Sequence, residues 1–123
     1  MLAQQYAAQG KRQEALNEYT EFISLDKNRA QGYLALSNLE YRFGMFSDAA
    51  AAADSAIKIT PNDPAAYYAA GVAQEGNLQL QQAVNYFDRA LVLDPNLAEA
   101  HLQKGLALFN LNRREESLAE FAA

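Results

Sequence analysis

The chain has 123 residues, a length that fits one domain, with half of them hydrophobic, a formal net charge of −5 and no cysteine. Its 10 Lys and Arg are scattered, with only Lys11–Arg12 and Arg113–Arg114 adjacent, which excludes the basic stripe that nucleic acid or an anionic membrane surface would require. The missing cysteine removes disulfides, thiolate catalysis and cysteine metal sites, and no apolar run approaches the ~20 residues that span a bilayer. Gln4 and Gln5 interrupt the opening stretch, so no secretory leader is expected there, and nothing in the composition fixes a compartment.

Ala15, Ala49 and Ala83 stand 34 residues apart, and the next step lands on Ser117. Gly71 and Gly105 share that step with Ser37 before them, and so do Pro61 and Pro95. A fixed period without slips predicts one repeated structural unit, and 34 residues is the length of a helix–turn–helix unit that stacks into a solenoid. In this frame residues 1–29 form an incomplete first unit, 30–63 and 64–97 are complete, and 98–123 is an incomplete fourth. Two helices per unit predict an all-α chain of about eight helices.

In chain order, the first unit is expected to turn at Gln9–Gly10–Lys11 and the second at Phe43–Gly44–Met45. The second helix of unit two contains the run Ala49 to Ala53 and must pack thinly. Asp63 can cap the third unit's first helix, and Pro64 suits its first position, where a missing N–H costs nothing. That helix should run through Ala65 to Gln74 and turn at Gly76–Asn77. Leu78 occupies a place where the other units have Gly or Asn, so the local turn is expected to differ. Ala83, Val84, Phe87, Ala90 and Leu91 make the apolar stripe of a helix from about Leu80 to Leu93, which Asp94–Pro95–Asn96 ends. In the fourth unit Asn112 supplies the turn, and a helix from about Arg114 to Ala123 leaves Leu118 and Phe121 with nothing after them to cover them.

These residues carry a family resemblance. Tyr67, Ala70, Gly71, Ala83, Phe87, Ala90 and Pro95 fall on the signature positions of the tetratricopeptide repeat. Tyr33, Leu36, Ser37, Ala49, Ala56 and Pro61 repeat most of the set, and His101, Gly105, Leu108, Ser117 and Phe121 repeat it less faithfully. Gly10, Ala15, Tyr19 and Phe22 mark the first unit, so the resemblance covers the whole chain. It implies a right-handed α-solenoid of antiparallel helix pairs. Small residues at Gly71, Ala83 and Ala90 let paired helices approach, while Tyr67 and Phe87 fill the space between. Four departures stand out: Ala53 for the aromatic at Phe87, Phe22 for the small residue at Ala90, Lys104 at an apolar position and Lys27 for the proline.

No constellation for catalysis appears. His101 aligns with Tyr33 and Tyr67 and reads as a packed histidine, with no second His or Cys to share a metal. The serines have no base beside them in sequence, and Glu18, Glu21, Glu115 and Glu116 read as solvated helix surface. The glycines sit at turn and packing positions rather than in a phosphate loop. We therefore expect no enzyme activity, no metal and no cofactor.

The resemblance implies that the first helix of each unit lines a concave groove for a protein or peptide. On this chain that surface carries Gln31, Leu34, Ala35, Asn38, Tyr41 and Arg42, then Ala65, Tyr68, Ala69, Val72 and Glu75. The last unit adds Glu99, Leu102, Gln103, Leu106 and Phe109. Chaperone-binding relatives clamp a terminal dicarboxylate with Lys, Asn, Asn, Lys and Arg. Those positions here hold Leu34, Asn38, Ala69, Glu99 and Gln103, so a heat-shock chaperone tail is not an expected partner. One unit earlier the clamp positions present are Gln4, Ala35, Ala65 and Ala69, none of which matches. The asparagine ladder of sugar-transferring relatives would fall on Ala35, Ala69 and Gln103 and is absent. A peptide-binding scaffold is the favoured reading. The alternatives are end-to-end self-association through Leu118 and Phe121, and a substrate-recruiting fragment of a larger enzyme.

Overall fold

Ala30, Pro64 and Ala98, spaced by the 34-residue period, each open a helix. A computed structural model of the protein describes the backbone of residues 2–25 and 30–111 and the side chains of residues 11–25 and 30–111. It contains α1 (Leu2–Leu25), α2 (Ala30–Arg42), α3 (Phe46–Ile59), α4 (Pro64–Gly76), α5 (Leu80–Leu93) and α6 (Ala98–Asn110). Each helix packs on its neighbour in sequence. In addition α2 touches α4, and α4 touches α6, whereas the backbones of α3 and α5 stay apart. The molecule therefore has a closed layer of α2, α4 and α6 and a splayed layer of α3 and α5.

The sequence explains how these helices come so close. Their contacts are built from alanines: Ala30, Ala56 and Ala66 in one cluster, Ala49, Ala50 and Ala73 in a second. Larger residues enter only where a partner makes room. Phe87 is completely buried on α5, and a Cβ placed on Gly71 of α4 would stand 2.5 Å from its ring. In the preceding hairpin the exchange of volumes is reversed: Ser37 replaces the glycine and Ala53 replaces the phenylalanine. The Ser37 hydroxyl is buried there and donates to the Ala49 carbonyl at 2.7 Å. Phe22 is accommodated in the same way, because a Cβ on Gly32 would meet its ring at 3.2 Å, and Ala66 and Ala100 stand one and two periods beyond Gly32. Lys104 reaches out of its apolar row to pair with Asp88 at 2.8 Å.

Helix ends follow their local chemistry. Asp63 accepts the Ala65 N–H at 3.0 Å as N-cap, with Pro64 at the first turn. The α2–α3 turn is a Schellman motif: Met45 N–H donates to Glu40 C=O at 2.8 Å, Gly44 N–H to Tyr41 C=O at 3.0 Å, and Gly44 is left-handed at φ 78°.

Two sequence expectations are corrected. The turn after α4 does not differ from the one after α2, because Leu78 itself adopts φ 62° and the bonds Gln79 N–H to Gln74 and Leu78 N–H to Glu75 recur at 2.8 and 3.0 Å. Closing both helix-end bonds outweighs the ~1–2 kcal/mol that a left-handed leucine costs. The expected turn at Gln9–Gly10–Lys11 is absent, and α1 runs through it. Gly10 costs a helix about 1 kcal/mol, and the flanking Gln9, Lys11, Arg12 and Gln13 are good helix formers with no proline or asparagine to stop it. Six helices therefore stand among the described residues where about eight were expected. Lys27, Asn112, Leu118 and Phe121, with the last expected helix, lie outside the described residues.

Among the described residues Glu40 is buried with one carboxyl oxygen, Oε1, that has no hydrogen-bond partner. Burial, helped by the charge of Asp48, pushes its carboxyl up to about 7. The folded chain thus keeps a proton that the unfolded chain loses near 4.5, and stability falls as pH rises from 4.5 to about 7. Glu40→Gln should raise Tm most above pH 7, and its advantage should shrink toward pH 4.5, as followed by calorimetry. Gly71→Ala should cost about 1–3 kcal/mol, with Phe87→Leu restoring part of it. An unchanged Tm would show that Phe87 can leave the contact. Leu78→Gly should add about 1 kcal/mol in denaturant titration by removing backbone strain from an exposed position.

Candidate functional site

The closed layer carries the site. Asn38 and Tyr41 on α2, Tyr68, Ala69 and Val72 on α4 and Glu99 on α6 converge on one open cavity of about 490 Å3. Ser37, Asp63, Pro64, Ala65 and Leu97 complete its lining. Helical spacing accounts for the convergence: Tyr68 and Val72, and likewise Asn38 and Tyr41, lie four and three residues apart on one face.

Both tyrosines are braced from behind by the helix that follows. Tyr41 stands against Phe46 of α3 at 5.3 Å between ring centroids, and Tyr68 against Phe87 of α5 at 5.9 Å. Burial raises the Tyr68 phenol above its ordinary value, and the charges of Glu99 and Glu75 and the neighbouring Tyr41 add to the rise. Tyr68 is thus a neutral hydroxyl on an aromatic plate throughout the physiological range. Glu75 is half-buried, and desolvation raises its carboxyl too.

The other expected groove residues divide. Leu34 packs against the Ala30, Ala56 and Ala66 cluster. Gln31 and Ala35 line a separate cavity of about 390 Å3 with Glu18, Tyr19 and Phe22 at the α1–α2 contact. Arg42 is exposed at the end of α2 and does not line the central cavity. Leu102, Leu106 and Phe109 form an exposed apolar row on α6, with Gln103 half-buried beside it. Ser37, Asp63, Pro64 and Leu97 line the cavity without having been expected there. Asp63 and Leu97 are one period apart, each immediately before a helix of the closed layer, and that phase is the signal that marks the cavity's mouth.

The side chains present suit binding rather than bond making. The Ser37 hydroxyl is committed to a backbone carbonyl. The His101 ring nitrogen Nε2 lies 2.9 Å from the Pro95 carbonyl, half-buried at the helix start. Among the described residues no group of three His, Asp or Glu stands ready for a metal, and no helix is long and apolar enough to cross a membrane. A second cleft of about 580 Å3 opens between the splayed helices α3 and α5, where Tyr86 O–H donates to Asp54 at 3.0 Å and Arg89 lies 5.8 Å from the Tyr67 ring.

Comparison with known proteins agrees with this architecture. A family model described as tetratricopeptide repeat matches residues 1–64. The cytochrome c-type biogenesis protein CycH of Rhizobium meliloti (strain 1021) is 33% identical over 102 residues, covering 80% of this chain and 27% of that protein. The chain thus spans about a quarter of that relative. Among solved structures, MamA from Desulfovibrio magneticus RS-1 superposes with a TM-score of 0.84 at 21% identity, over 94% of this chain and 66% of that one. Another MamA crystal structure gives a TM-score of 0.83 at 22% identity, over 98% and 66% of the two chains. At such identities the likeness speaks for the fold.

Proposed function

The chain belongs to the tetratricopeptide repeat family, and from that premise we propose that it holds a peptide or protein segment in the concave cavity between α2, α4 and α6. The carrying observation is the cavity itself, with two braced tyrosines on an apolar floor and no committed catalytic group. Such a surface has the size and composition for one or two side chains of a bound segment. The unit division at 30–63 and 64–97, with partial units on either side, is the frame in which the groove repeats.

The domain is a protein–protein interaction module, and the reading is non-catalytic. Of the five positions at which chaperone-binding relatives hold a carboxylate tail, only Asn38 carries the matching side chain, while Glu99 has the opposite charge. The likeness to part of CycH suits a recruiting segment of a longer protein.

Panning a random peptide display library against the chain and its Tyr68→Glu variant tests the groove. A consensus should be enriched by the unmodified chain alone, with both proteins equally helical by circular dichroism. Equal enrichment on both would place binding elsewhere.

A further inference from the structure

Among the described residues the concave face around Tyr68 carries acidic charge without a basic neighbour. Tyr68 and Glu75 lie seven residues apart on α4, two turns along one face. Glu99 enters the Tyr68 cavity from the first turn of α6, while Glu75 lies beyond its lining, near enough for its charge to act on the Tyr68 phenol. Asp63 is also there, but its carboxylate is occupied as the N-cap of α4. Among the described residues neither Glu75 nor Glu99 has a hydrogen-bonded or ion-paired partner. Among the described residues no Lys or Arg lines the cavity, and Arg42 lies exposed at the end of α2, outside the lining. Lys58 and Arg89 face the α3–α5 cleft, and Lys104 is paired with Asp88.

Each part of this arrangement asks for a cation. The face of a tyrosine ring attracts a guanidinium or ammonium, and the attraction strengthens where water is thinned. Glu75 is half-buried without a counter-charge, which burial penalises until one arrives. Glu99 adds a second acceptor across the cavity, matching the several donors of one guanidinium. The exposed row Leu102, Leu106 and Phe109 continues apolar surface along α6 from Glu99.

We propose that the segment bound in this groove is basic, with an Arg or Lys seated over Tyr68 between Glu75 and Glu99 and apolar neighbours lying toward Leu102 and Leu106. The occupant is a cationic, partly apolar stretch of a partner protein. An acidic segment is repelled by the same two carboxylates, so charge sets partner choice as well as encounter rate. This rests on the groove reading above and adds the chemistry of the ligand to it.

The same display library, panned against the chain, Tyr68→Ala and the doubly substituted Glu75→Gln/Glu99→Gln, separates the two claims. The expected result is a consensus rich in Arg or Lys that is lost on Tyr68→Ala. A synthetic peptide of that consensus should bind the double variant roughly tenfold more weakly and lose much of its salt dependence. A Tyr68-dependent consensus without basic residues, or one indifferent to the double substitution, would overturn the charge inference and leave the groove standing. No Tyr68-dependent consensus would overturn both. Gln keeps the shape of Glu, and circular dichroism verifies that the variants fold.

Discussion

The contact between Gly71 and Phe87 ties the fold to its groove. One bare backbone position lets a full aromatic ring sink between α4 and α5, where it is completely shielded from water. The same ring stands 5.9 Å from that of Tyr68 in the concave cavity. A single volume exchange thus brings the two helices together and holds the groove's central side chain upright. Phe87 has little freedom to yield, because close-packed interiors transmit displacement rather than absorb it.

The same logic of paired sizes runs through the other units with different residues. Ser37 and Ala53 share the space that Gly71 and Phe87 fill, and the hydroxyl finds a carbonyl so that no buried donor is wasted. Phe22 beside Gly32 and Lys104 beside Asp88 are further exchanges in which one unusual residue is matched by its neighbour. What repeats along the chain is the close helix contact and the backbone hydrogen bonds that end α2 and α4, more than the identity of any side chain. Leu78 makes the point at backbone level, adopting the left-handed conformation of Gly44 because the two closing bonds of the turn are the same.

Much of this was legible in the amino-acid order. The period placed the starts of α2, α4 and α6, and Asp63–Pro64 and Gly44 announced the cap of α4 and the turn after α2. Gly10 misled, since a glycine among strong helix formers carries no instruction to turn, whereas Gly44 is followed by a closing bond that requires one. In the cavity, Asn38, Tyr41, Tyr68, Val72 and Glu99 were visible as one stripe. Ser37, Asp63 and Leu97 were not, because they come from a packed position and from loops that a helix-face pattern does not sample. Glu40 was silent as well, since its burial depends on how tightly α2 and α3 close and not on its place in the period.

The unequal spacing of the two layers has a mechanical meaning. Inner helices touch backbone to backbone, while α3 and α5 are joined by side chains around an open cleft. Ala49, Ala50 and Ala56 seat α3 on the inner layer through Ala30, Ala66 and Ala73, so the width of the cleft and the curvature of the array are fixed by the same close contacts. The radius of the groove is therefore written in its smallest side chains, and a larger residue at Ala49, Ala56 or Ala73 would change the curve of the surface together with its packing.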